Sequence, residues 1–136
     1  MEQMATMQLI EMTDFHLLQI DFINVPFTDL KFKIFLEEFD NMMVYITNST
    51  EIKRFVMYFN CKNGVLIPMA YVKPFINTIL LHQDMFDAKL ICSQAYITSN
   101  FMTIISNVFF NFYKTVKPFL FLPSDTLDLD YINKLI

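Results

Sequence analysis

The stretch Lys53-Arg54-Phe55-Val56-Met57-Tyr58-Phe59 decides how this chain is read. From Phe55 to Phe59 it is apolar without interruption and rich in aromatic and β-branched types, which suit a pleated surface. Such a run fits a strand buried on both faces, as the central strands of parallel sheets are. It ends at a polar turn, Asn60 to Gly64, which holds the only glycine.

Downstream, Val72, Phe75, Ile76, Ile79 and Leu80 recur at helical spacing, and Pro68 and Pro74 place the helix start near Lys73. Lys89 to Thr98 reads as the next strand. Asn100 then caps a helix whose apolar residues, Phe101, Ile104, Ile105, Val108, Phe109 and Phe112, follow the i, i+3, i+4 rule. Pro118 to Leu122 reads as a strand, and Ser124 or Asp125 caps a last helix through Leu129, Ile132, Asn133 and Leu135.

Upstream, Phe15 to Ile23 reads as a strand in which Leu18, Ile20 and Phe22 alternate with Gln19 and Asp21. Thr28 or Asp29 caps a helix through Phe32, Phe35, Leu36, Phe39, Met42, Met43 and Ile46, with Glu37, Glu38 and Asp40 on its solvated side. Strands alternating with helices imply parallel pairing and right-handed crossovers. The expected fold is α/β: a small single-layer sheet of about four mostly parallel strands with four helices. Three central strands are expected to run parallel, and the direction of the first is left open. Residues 14–136 form the domain, and residues 1–13 are a partly ordered N-terminal segment.

The chain has 136 residues, enough for one ordinary domain. Hydrophobic residues make up 54%, including 16 Phe. Either the core is heavy in Phe or apolar surface stays exposed, to be covered by a protein partner, a second copy or a lipid. The net charge is −4, and the only basic clusters are the pairs Lys31/Lys33 and Lys53/Arg54. Phosphate backbones need several cations on one face, so nucleic acid is not an expected partner.

Cys61 and Cys92 stand apart from each other and from any CxxC pattern, as free thiols of a reducing compartment do. Met1 to Met12 has neither the charge nor the apolar run of a signal peptide, so an intracellular, cytoplasmic protein is expected. Leu90 to Tyr113 is long and uncharged, yet Ser93, Gln94, Asn100, Asn107 and Asn111 would be costly in hydrocarbon, so no transmembrane span is expected. The chain favours residues with AT-rich codons, with 16 Phe, 10 Met and 6 Tyr against one Gly. Large DNA viruses, some protists and low-GC bacteria have such genomes. A viral origin would put the protein in the host cytoplasm.

The strand Lys53 to Phe59, the helix ending at Leu81-His82, and Lys89-Leu90-Ile91 follow a recognisable order. So do Thr103-Ile104-Ile105-Ser106-Asn107-Val108-Phe109-Phe110 and Lys117-Pro118-Phe119-Leu120. From about Phe15 to Leu135 the chain resembles the STAS domains, the fold of anti-sigma-factor antagonists, and among them the eukaryotic and viral STAS-like relatives. The resemblance implies a role in protein–protein association. It also implies a phosphoacceptor serine in the turn that opens the helix after the central strand. That turn corresponds to Pro68-Met69-Ala70-Tyr71, where the only hydroxyl is the Tyr71 phenol. A CRAL-TRIO lipid-binding domain gives a similar string, though such domains are usually longer.

Parallel sheets bind ligands beyond the carboxyl ends of their strands. The candidate ligand-binding residues there are Asn60, Lys62, Thr98, Ser99, Asn100, Ser124 and Asp125. Asn100 and Ser124/Asp125, as helix starts, could also hold an anion on free amides. His16 and His82 lie away from this set, so no Ser/His/Asp system is expected, and no spacing suits a metal ion. No catalytic residue and no cofactor are assigned. The leading expectation is a non-enzymatic interaction module that self-associates, as a homodimer, or docks on another protein. The alternative is a lipid or membrane-surface binding module. The weaker alternative is an enzyme using Cys61, with Lys62 favouring its thiolate.

Overall fold

A computed structural model describes residues 3–23, 28–62, 69–98 and 117–136. The strands are β1 (Ala5–Glu11), β2 (His16–Phe22), β3 (Phe55–Cys61), β4 (Leu90–Ile97) and β5 (Phe119–Phe121), in the spatial order β1-β2-β3-β4-β5. β2 through β5 run parallel, and β1 is antiparallel to β2. The helices are α1 (Asp29–Asn48), α2 (Val72–Leu80), α3 (Gln83–Lys89) and α4 (Leu129–Leu135), with a 3₁₀ turn, Met69–Tyr71, leading into α2. The expected α/β architecture, a single mostly parallel sheet with helices, is what the described residues form, with five strands where about four are expected.

β3 lies at the centre and is buried on both sides, as its unbroken apolar run requires. Phe55 and Val56 are fully buried, and Met57 and Tyr58 are each 4% exposed. One face packs Leu18, Ile20, Phe22, Phe55, Met57 and Cys61 against Phe35, Phe39, Met43 and Ile46 of α1, Ile76 and Ile79 of α2 and Phe86 of α3. The other face packs Leu17, Val56, Tyr58 and Cys92 against Leu122 and Ile132 of α4. Rings join α1 to α2 edge to face, with Phe39 and Phe75 centred 5.1 Å apart. Tilted and edge-on pairs of this kind add about 1 kcal/mol beyond their buried area.

The ends of the elements have identifiable causes. Thr28 Oγ1 accepts from Lys31 N–H at 3.1 Å and caps α1. The last turn of α1 contains no basic residue. Lys89, at the end of α3, supplies one from a distance: its Nζ donates to Ile46 C=O at 2.6 Å and to Ser49 C=O at 3.0 Å. Carbonyls left over at a helix end thereby gain a charged donor.

Several expectations need correction. The sequence reading sets residues 1–13 apart from the domain, yet Ala5–Glu11 joins the sheet as its fifth strand, and Met4 and Ala5 are each 2% exposed. α2 begins at Val72, beside Lys73 as expected, but gives way to a separate helix, α3, that periodicity does not reveal. The last helix is capped by Asp128, whose Oδ1 accepts from Tyr131 N–H at 3.0 Å, and not by Ser124 or Asp125. The strand expected to be open in direction, now β2, runs parallel to β3. The helix expected over Phe101 to Lys114 lies outside the described residues.

Candidate functional site

The parallel strands β2, β3 and β4 end on the same side, and their register places Asp21 beside Asn60 and Asn60 beside Tyr96. One residue pair earlier, Tyr58 stands between Gln19 and Gln94. This end of the sheet is therefore polar on the α4 face, as the pleat dictates for residues two apart.

Asp125, in the loop after β5, closes over this end. Its carbonyl accepts from the Tyr58 hydroxyl at 2.6 Å, and its carboxylate lies 3.4 Å from Lys62 Nζ. Asn60 Oδ1 accepts from Lys62 N–H at 3.0 Å, fixing the turn that carries the lysine. Gln94 is fully buried. It donates to Asp128 C=O at 3.0 Å and accepts from Asp128 N–H at 2.9 Å, so one amide matches both backbone groups of Asp128. Gln19 donates to the Asp21 carboxylate at 2.9 Å. Burial, followed by the negative charges of Asp125 and Asp21, pushes the Tyr58 phenol up to about 12. Tyr58 is thus a neutral donor at physiological pH.

Of the residues singled out from the sequence, the structure brings Asn60, Lys62 and Asp125 together. Thr98 is exposed just beyond β4. Ser124 Oγ accepts from Thr126 N–H at 3.4 Å, shaping its own loop. Ser99 and Asn100 lie outside the described residues. Because Ser124 and Asp125 do not begin a helix, the anion cradle expected of them has no free helix amides behind it. Asp125 instead brings a negative charge that Lys62 offsets. Tyr58, Gln94 and Asp128, which do most of the joining, escaped the sequence reading. The one local signal was Ser93-Gln94, a polar pair in the middle of an apolar strand.

Cys61 is 4% exposed, and burial pushes its thiol up to about 12; Cys92 is pushed up to about 11. A thiolate is the nucleophilic form, and burial disfavours it at both cysteines. Lys62 turns to Asp125 rather than to the thiol. His82 Nε2 lies 2.6 Å from Asp40 Oδ1, which ties the turn after α2 to α1. Among the described residues no cluster of His, Cys, Asp or Glu could hold a metal ion, and no helix is long and apolar enough to cross a membrane.

Large apolar side chains remain outside. Leu81 is 78% exposed, Tyr45 60% and Leu30 51%. A groove between β1 and α1 is walled by Met7, Leu9, Met42 and Tyr45 and rimmed by Gln3, Glu38 and Asn41.

No family model, no curated protein and no solved structure matches the chain.

Proposed function

We propose that this chain is a STAS-like protein-interaction module that self-associates and carries out no chemistry of its own. The observation that carries the reading is how the side chains are used. Tyr58, Asn60, Lys62, Gln94 and Asp125 are bonded back into the chain. Leu30, Tyr45 and Leu81 face outward instead. Polar groups spent on internal bonds suit a scaffold, and apolar groups spent on solvent suit a docking surface.

The STAS-like part of the reading is supported by the parallel strands β2, β3 and β4, joined through α1 and then α2 and α3. The turn that opens α2 is Met69-Ala70-Tyr71, and the Tyr71 hydroxyl donates to Asp29 of α1 at 2.6 Å. A serine switch has no acceptor there, so association in this protein is constitutive rather than phosphorylation-controlled. Its setting, on this reading, is the cytoplasm, the host's if the source is a large DNA virus.

Lipid binding is the second reading, favoured by the groove of Met7, Leu9, Met42 and Tyr45, since methionine adapts well to irregular apolar ligands. Enzymatic use of Cys61 has the least support, because its thiol stays protonated. Native mass spectrometry of the purified chain separates the first two. We expect a species at twice the 16.2 kDa chain mass, without adducts. A monomer carrying acyl lipid would favour the second reading, and a bare monomer would contradict both.

A further inference from the structure

Among the described residues the sheet has two edges, β1 and β5. An exposed edge is a template for another strand, and proteins blunt it with short strands, proline, lysine or bulges. β5 is blunted: it is three residues long, with Pro118 before it and Pro123 just beyond. β1 is not. It has seven residues and neither Pro nor Lys, and its register with β2 runs unbroken from Ala5↔Phe22 to Glu11↔His16.

The hairpin fixes which backbone groups of β1 point outward. Met12 N–H donates to Phe15 C=O, and Ile23 N–H to Met4 C=O, each at 2.9 Å. Hydrogen-bonded pairs alternate along an antiparallel ladder. Thr6, Gln8 and Ile10 therefore turn their N–H and C=O toward β2. Ala5, Met7, Leu9 and Glu11 turn theirs to the free edge.

Resting on the self-association read above, we propose that β1 is the interface and pairs antiparallel with β1 of a second copy about a two-fold axis at Gln8. This register sets Met7 against Leu9 of the second copy, Thr6 against Ile10 and Ala5 against Glu11. All four outward residues are then paired, exchanging about eight hydrogen bonds. Moving the axis to Met7 or Leu9 strands one end of β1, and an axis between residues sets outward groups against inward ones.

The strand is complementary to itself in other respects. Glu11 is its only charge, and the axis sends the two copies of it to opposite ends. The exposed Gln8 amide meets its own counterpart, donor to acceptor. Met7 and Leu9 line the groove together with Met42 and Tyr45. Pairing sets two such grooves side by side and covers their apolar walls. The result is one continuous sheet through both copies.

Gln8 faces its counterpart as a non-hydrogen-bonded pair, with Cα atoms about 4.5 Å apart, within disulfide range. The test is Gln8→Cys in the full chain under oxidised glutathione, with Thr6→Cys as the register control. Cys61 and Cys92 are buried and do not compete. We expect Gln8→Cys to form a disulfide-linked dimer and Thr6→Cys to do so at least tenfold less. In parallel, Gln8→Glu should weaken the dimer by roughly tenfold or more, like charges being set face to face. Mixing Gln8→Glu with Gln8→Lys should restore it. The side chain is exposed, and circular dichroism will show whether each variant keeps the monomer fold.

Equal cross-linking by Thr6→Cys overturns the register. A wild-type dimer that persists in Gln8→Glu, with no cross-link in Gln8→Cys, overturns the placement at β1 and leaves self-association standing. A wild-type monomer at every concentration overturns both.

Discussion

Gln94 sits in the middle of β4 with no exposed surface, and both ends of its amide are used on Asp128. A buried polar group is tolerated when it is fully bonded and costly when it is not. Gln94→Leu leaves the Asp128 N–H without a partner and Asp128 C=O with only the long 3.4 Å bond from Ile132 N–H, and we expect it to destabilise the fold by about 1–3 kcal/mol, read from urea midpoints. Tyr58→Phe removes one bond to Asp125 and should cost about 1 kcal/mol. The buried thiol of Cys61 makes a prediction about pH. Its ordinary value is 9.0 and burial raises it to about 12 in the folded state. Above 9.0 the unfolded chain loses its proton first, so the folded form binds more protons and stability falls as pH rises. The contribution is full below about pH 9 and is lost on the way to about 12. Tyr58 acts in the same direction. Urea midpoints at neutral and alkaline pH should show this fall, and Cys61→Ala should lessen it.

At the scale of elements, β3 was legible because burial on both faces leaves an unbroken apolar run. α1 was legible because its face repeats Phe32, Phe35, Phe39, Met43 and Ile46 at helical spacing. β1 was not. Ala5-Thr6-Met7-Gln8-Leu9-Ile10-Glu11 mixes polar and apolar residues and has only two β-branched ones, and the connection Met12 to Phe15 lacks a turn glycine. Its strand character comes from pairing with β2, which is a tertiary cause. The cap of α4 was misplaced for a local reason. Ser124 was the nearer hydroxyl to the end of β5, but it folds its own loop through Thr126 N–H, and the cap is a full turn further on, at Asp128. At the candidate site, the sequence placed Asn60, Lys62 and Asp125 together because all lie at or beyond the carboxyl ends of strands. It could not find Gln94, whose partner is 34 residues away. Helix capping across elements is testable too. Lys89→Met keeps the aliphatic stem and removes the donor to Ile46 and Ser49. We expect a loss of about 1–2 kcal/mol and faster amide exchange in the last turn of α1.

At the scale of the whole molecule, one fact organises the rest: the polar ends of the parallel strands serve the chain's own architecture, while the β1 edge and the outer face of α1 are left to solvent. Leu81, Tyr45 and Leu30 are exposed although the core has ample apolar residues to fill it. The proposed assembly would cover part of this apolar surface. The most direct measurement is sedimentation equilibrium of the wild-type chain over a hundredfold range of concentration. We expect a reversible dimer, with the average mass rising from 16.2 kDa toward twice that value as concentration increases. A mass that stays at 16.2 kDa throughout would contradict the proposed self-association.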